Sequence, residues 1–219
     1  TVLEFEKHLI PKEYIYFNKF KKDKKKNIPR NKIIPQLRKI LVDSLKKSIR
    51  SDVKLAFCLS GGVDSTGLVS IAKKILKKNI KTFTIFSNDK KYNEFNIVKE
   101  TIKKLKIKNH KWVHLEKKDA FKNLKNILLH RATPLPTLTS YIQWNLMKTI
   151  HKEGYKVVIS GNGADEIFTG YYDHYLAYFE DMKKNKFFLN KEISIWEKKI
   201  LPIIRNKDFR NKEYFSLNK

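Results

Sequence analysis

Two short stretches of this chain gather the residue types that handle anions and metal ions. The first, CLSGGVDS (Cys58 to Ser65), packs two glycines, a carboxylate and two hydroxyls into one turn. The second, GNGADEIFTGYYDHY (Gly161 to Tyr175), holds another Gly-x-Gly, the adjacent carboxylates Asp165 and Glu166, and a third glycine ahead of an aromatic cluster. In the first, Gly61 and Gly62 let the main chain approach a phosphate closely, while Ser60 and Ser65 add hydroxyl donors. Asp64 would repel a phosphate unless a divalent cation lay between them, so its presence points to Mg2+. If the two stretches meet, Asp64 and Asp165 share one metal whose other ligands are phosphate oxygens. Asp64, Asp165 and Glu166 are then the candidate catalytic carboxylates. Ordinary readings compete: a Gly-Gly turn with an Asp cap also joins a strand to a helix, and Asp165 and Glu166 also suit a helix's first turn. The segment is neither a Walker A loop, which needs a Lys after its last Gly, nor GxGxxG.

Such loops need elements to hold them. VKLAFCL, ahead of the first loop, has the character of a buried strand, and TGLVSIAKKILKK (66–78) places Leu68, Ile71, Ala72, Ile75 and Leu76 at helical spacing. KTFTIF (81–86), HKWVHL (110–115) and YKVVIS (155–160) read as further strands. NEFNIVKETIKKLK (93–106), 119–130 and 141–152 read as helices, with a Pro-containing loop, RATPLPTLTS, between the last two. An amphipathic helix over 33–50 precedes them all. This alternation predicts an α/β fold, a parallel sheet with helices on both faces, and such sheets bind ligands beyond the carboxyl ends of their strands. Both glycine-rich loops lie at that end.

Composition narrows the class. The 219 residues, 41% of them apolar, suffice for one domain with a real core. The chain starts with Thr, so a processed or excerpted chain is expected, and with no long apolar run or signal peptide the expected location is cytoplasmic, without a membrane partner. Cys58 is the only cysteine and reads as a structural thiol in a strand. His110 and His114 lack a third metal ligand nearby in sequence. The net charge of +26 draws attention to nucleic acid, yet only six of the 48 basic residues are arginine, so a lysine-biased composition is the better reading than a specific nucleic-acid binder. The run KKDKKK (21–26) reads as a solvated linker.

At this point the motifs are recognisable. SGGVDS resembles the pyrophosphate-binding loop of the N-type ATP pyrophosphatases, and ISGNGADEIFTGYYDHY resembles the SGEGADELFGGY signature of the synthetase domain of class B, glutamine-hydrolysing asparagine synthetases. The first motif alone is shared with GMP, NAD and tRNA-lysidine synthetases; the second makes the likeness specific. The resemblance implies an adenine nucleotide α-hydrolase-like (PP-loop) fold with a helical C-terminal extension, and an ATP-dependent ligase that adenylates a carboxylate, releases pyrophosphate and forms an amide with glutamine-derived ammonia. It implies ATP and Mg2+ as cofactors: Ser60, Gly61, Gly62 and Ser65 on the pyrophosphate, Asp64 and Asp165 on the metal, and Leu59, Ile85, Ser160 and Gly161 near the adenosine.

By the same resemblance, residues 1–30, with EYIYFNKF (13–20), are a linker and remnant of a preceding glutaminase domain, and 31–219 the synthetase domain, C-terminally incomplete. The expected partners are a small carboxylate substrate and ammonia from a glutaminase domain in the same full-length chain; a homodimer is left open. Two departures bear on substrate and activity. Asn162 stands where the signature has Glu, and no counterpart of the family's downstream catalytic lysine is evident, Lys198 and Lys199 lying in a generic amphipathic stretch. With RATPLPTLTS and IRNKDF (204–209), Asn162 brings the chain nearer to asparagine-synthetase-like proteins of surface-polysaccharide pathways, whose acceptor is a sugar acid. A tRNA-modifying adenylating enzyme and an inactive ATP-binding module are the remaining alternatives.

Overall fold

Runs of apolar, β-branched residues punctuated by amphipathic segments give an alternating chain of strands and helices. The computed structural model describes residues 2–5, 11–14, 29–88, 94–115, 120–135, 137, 139–183 and 186–204. They belong to two units, Thr1–Lys47 and Ser48–Lys219. In the first, β1 (Val2–Phe5) and β2 (Pro11–Tyr14) pair antiparallel with Val2 opposite Tyr14. α1 (Arg30–Ser48) starts before the expected residue 33 and carries Pro35 inside it, which removes one backbone donor from the ladder. Most of EYIYFNKF, all of KKDKKK and most of IRNKDF lie outside the described residues.

The second unit follows the expected alternation. Its elements are β3 (Leu55–Cys58), α2 (Val63–Ser70), β4 (Lys81–Phe86), α3 (Phe95–Leu105), β5 (Asn109–His114), α4 (Ala120–Arg131), α5 (Thr139–Lys152), β6 (Val157–Ile159), α6 (Ala164–Phe168), α7 (Tyr172–Met182) and α8 (Lys186–Lys199). The expected helix over 66–78 does not stay regular: past Ser70 the turn widens over Ile71–Ile75, where the Leu76 N–H donates to the Ile71 carbonyl at 2.9 Å.

Four strands form one parallel sheet in the order β5-β4-β3-β6. Ala56, Phe83 and Val113 point to one face, where Leu146 and Ile150 of α5 complete a buried cluster. Right-handed crossovers explain the layers. The connections from β3 to β4 to β5 run in one direction and the return to β6 runs in the other, so α5 covers the face opposite α2 and α3. Val69, Ala72 and Val98 bury completely on α2, the widened turn and α3. The helical extension has its own aromatic centre: Trp196 of α8 is 2% exposed, with the rings of Tyr172, Tyr175 and Phe179 of α7 6.2–6.5 Å away.

Two predictions follow from this packing. Gly67 sits exposed inside α2 with nothing within 4 Å of a Cβ built there. Gly67→Ala should therefore stabilise the chain by about 0.5–1 kcal/mol, read from the denaturant midpoint, because the glycine costs backbone entropy and fills no need. His110 places Nδ1 2.8 Å from the buried Thr82 hydroxyl, and burial, with the Lys81 charge behind it, pushes the imidazole down to about 4 from 6.5. The folded chain then binds fewer protons than the unfolded one between these values, so the stability His110 contributes is full above pH 6.5 and lost as pH falls towards 4. His110→Gln should flatten the urea midpoint across that window, and an unchanged slope would refute the assignment.

Candidate active site

β3 and β6 are hydrogen-bonded neighbours, with Phe57 opposite Ile159, so the loops that follow them leave the sheet side by side. The sheet order reverses at this position, since the chain continues from β3 to β4 on one side and returns to β6 on the other, which opens a crevice beyond the carboxyl ends. The loops touch there. A Cβ on Gly161 would lie 2.9 Å from both Asp64 Cβ and the Ser65 amide nitrogen, so only glycine permits this approach. A cavity of about 470 Å3 opens between them.

Nearly every residue proposed from the sequence lines this cavity. Leu59, Ser60, Gly62, Asp64 and Ser65 come from the first loop, and Ser160, Gly161, Asp165 and Glu166 from the second, with Ile85 from β4. Asp165 and Glu166 also occupy the first turn of α6, so the pair that lines the cavity also starts that helix. Gly61 differs: it is absent from the cavity wall, and its N–H is directed instead to Glu94 Oε2 at 2.9 Å. Asn162 lines the cavity beside Gly161.

The first loop is satisfied internally by groups that can reorient. The Ser60 N–H donates to Ser65 Oγ at 3.0 Å, the Gly62 N–H to Ser60 Oγ at 3.2 Å, and the two hydroxyls lie 2.8 Å apart. Behind the loop, the Leu59 N–H donates to the Phe83 carbonyl at 2.9 Å, and the Thr84 hydroxyl donates to the Leu59 carbonyl, tying the loop to β4. Burial pushes the Cys58 thiol up to about 11, which keeps it protonated and chemically quiet at neutral pH. This agrees with a structural cysteine.

The second loop turns through Gly163 at φ 88°, the left-handed region that favours glycine, and enters α6. A Cβ at Gly170 would overlap the Asp165 carboxylate, so the loop folds back on its own acid. Tyr171 donates its hydroxyl to Glu166 Oε1 at 2.8 Å. That bond leads the causes that hold the Glu166 carboxyl below its usual range and the Tyr171 phenol above its own. Among the described residues no three His, Cys, Asp or Glu side chains form a metal cage. A cation at Asp64 and Asp165 therefore needs oxygens from a bound ligand, and the donor set, two carboxylates among amides and hydroxyls, suits a hard ion such as Mg2+.

Sequence reasoning passed over several wall residues. Glu94 reads as an ordinary start to α3, Gln143 and Leu146 as ordinary members of an amphipathic helix, and Tyr171 as one of an aromatic cluster. Nothing in their local sequence marks them. Only the strand order and the placement of α5 across the sheet bring them to the cavity.

Comparison with known proteins identifies the family. The family described as Asparagine synthase matches residues 36–215. The chain is 29% identical over 153 residues to the amidase chyE of Penicillium rubens, covering 64% of this chain and 23% of that protein. It is 33% identical over 141 residues to glutamine-hydrolysing asparagine synthetase 1 of Bacillus subtilis, covering 64% and 22%. The chain thus spans less than a quarter of the length of these curated relatives. Among solved structures, an NH3-dependent NAD synthetase from Campylobacter jejuni aligns over 87% of this chain and 93% of that one, with a TM-score of 0.39 and 13% identity. Among the described residues no helix is long and apolar enough to cross a membrane.

One expectation is corrected here. The match fills residues 36–215 of the 219, leaving 35 residues ahead of it, which are too few for an independent core. These 219 residues therefore have no room for a glutaminase domain beside the matched one, and the expectation of ammonia from a glutaminase domain in the same full-length chain is not carried further.

The contact between the loops makes a direct prediction. Gly161→Ala should lower the unfolding free energy by about 1–3 kcal/mol through overpacking against the Asp64–Ser65 backbone. Gly163→Ala should cost about 1–2 kcal/mol through backbone strain alone, and Gly163→Asn less, because Asn tolerates the left-handed region. Chemical denaturation measures all three; a Gly161→Ala chain as stable as the parent would show that the loops do not meet.

Proposed function

Because this chain belongs to the asparagine synthase family, we propose that it is an ATP-utilising synthetase domain that adenylates a substrate carboxylate and passes the acyl group to ammonia. The observation that carries this reading is the meeting of the two loops at Gly161, which puts Asp64, Asp165 and the amide-and-hydroxyl turn around one cavity. ATP lies with its adenosine along Leu59, Ile85 and Gly161 and its β- and γ-phosphates over Ser60, Gly62 and Ser65. Asp64 and Asp165 would hold Mg2+, which when bound would neutralise charge on the phosphates and the departing pyrophosphate.

The chemistry follows in two displacements. An oxygen of the substrate carboxylate attacks the α-phosphorus, the bond to pyrophosphate breaks, and an acyl-adenylate forms. Ammonia then attacks the acyl carbon, loses a proton and expels AMP, leaving an amide. The loop's amides and hydroxyls stabilise the first leaving group where its charge develops. Glu166, kept ionised by the Tyr171 hydroxyl, sits in the wall of the same cavity and stabilises positive charge on the incoming nitrogen.

Asn162 favours a second reading of the acceptor. It lines the cavity where the family signature has Glu, so no carboxylate stands there to pair with an amino group of aspartate. A sugar acid, with no such group to satisfy, is the alternative acceptor.

The test supplies Mg-ATP, ammonium and either L-aspartate or a panel of hexuronic acids, following AMP and pyrophosphate release. Acceptor-dependent AMP formation is expected; ATP binding without AMP formation for any carboxylate would remove the synthetase reading. Asp64→Asn should weaken Mg-ATP binding at least tenfold in calorimetry with an unchanged circular dichroism spectrum. Unaltered affinity in that folded variant would overturn the metal assignment.

A further inference from the structure

Glu94 stands at the N-cap position of α3, yet its side chain makes no cap bond to that helix. Its carboxylate crosses instead to the first loop and accepts the Gly61 N–H at 2.9 Å. The approach is tight over more than this bond. A Cβ on Gly61 would lie 3.2 Å from Glu94 Cβ and 3.3 Å from Ile97 Cγ2, so the loop backbone packs directly against the start of α3.

The peptide between Ser60 and Gly61 is consequently held at both ends. Its N–H is taken by Glu94, and its carbonyl accepts from the Ser65 hydroxyl at 3.2 Å and the Thr66 hydroxyl at 3.3 Å. Those two hydroxyl bonds are long, whereas the bond to a carboxylate is charge-assisted and the strongest of the three. Glycine at 61 offers little steric resistance to rotation of this peptide. Ser60 Oγ, which takes the Gly62 N–H and meets Ser65 Oγ, is attached to its other side. Whatever fixes the peptide thus fixes the donors that face the cavity.

We propose that Glu94 is a positioning residue of the anion loop: its carboxylate locks the Ser60–Gly61 peptide and thereby presets the Ser60, Gly62 and Ser65 donors for phosphate. It acts through the Gly61 N–H and not as a metal ligand, and it grips the loop from the α3 side while Gly161 abuts the other flank at Asp64 and Ser65. The proposal rests on the reading of the cavity as a nucleotide site.

The test compares Glu94→Ala, Glu94→Asp and Glu94→Gln. Gln keeps an oxygen at the right reach without the charge, Asp keeps the charge but is one methylene short, and Ala has neither. Calorimetric titration with Mg-ATP and with magnesium pyrophosphate should show affinity down about tenfold for Ala and Asp, and within about threefold of the parent for Gln. Amide hydrogen exchange over residues 59–64 without nucleotide should speed up at least tenfold in Ala and Asp and stay near the parent in Gln. Equal loss in Gln and Ala would show that charge, and not the hydrogen bond, matters, and would overturn the proposal. So would Ala binding as well as or better than the parent, since Glu94 would then compete with phosphate. If the parent itself binds neither ligand, the nucleotide reading fails, and the exchange comparison alone still decides whether Glu94 locks the loop.

Discussion

The site depends on one close approach, that of Gly161 to the backbone of Asp64 and Ser65. A methyl group there would sit 2.9 Å from a backbone nitrogen, and backbone cannot move aside as a flexible side chain does. The contact exists because β3 and β6 are hydrogen-bonded neighbours although the chain visits two other strands between them. Once they pair, their loops must leave together, and the first loop's donors and the second loop's carboxylates line one cavity. The remaining elements hold this arrangement in place: α5 seals one face through Leu146 and Ile150, and Thr84 of β4 ties the Leu59 carbonyl from behind.

Electrostatically, the cavity runs against the rest of the chain. The protein carries a formal charge of +26, yet Asp64, Glu94, Asp165 and Glu166 all line this one wall. A basic exterior raises the local concentration of polyanions, while an acidic pocket rejects a bare triphosphate and favours one that arrives with a divalent cation. The lysine-rich composition is thus compatible with a nucleotide ligand and needs no nucleic acid to account for it. Inside the pocket, serine hydroxyls serve the loop's amides, and hydroxyls reorient at small cost because each both donates and accepts.

Membership of the asparagine synthase family sets the broad chemistry, and the particular residues set its variation. Asn162 is the clearest of these, because it changes the charge of the wall beside Gly161 without changing its shape much. The synthase family match accounts for residues 36–215, so the 219 residues hold no second domain of glutaminase size beside it. On the proposed reading the cavity binds and activates an acid, and the nitrogen donor is a separate question.

The sequence by itself determined the local pieces. Strand and helix periods, the glycine turns and the two carboxylate-bearing motifs follow from near neighbours along the chain, and the parallel α/β architecture follows from their alternation. It did not determine that β6 returns beside β3, because strand order is set by long-range packing that no local period encodes. For the same reason Glu94, Gln143 and Tyr171 look unexceptional in sequence and meet the cavity only in space. The wide turn at Ile71–Ile75 and the early start of α1 were likewise decided outside local propensity, the one a shift of the hydrogen-bond ladder and the other a helix that tolerates Pro35. The residue types of each loop are legible in the sequence; that the two loops line one cavity was decided by the tertiary structure, because only the folded sheet brings Gly161 against Asp64.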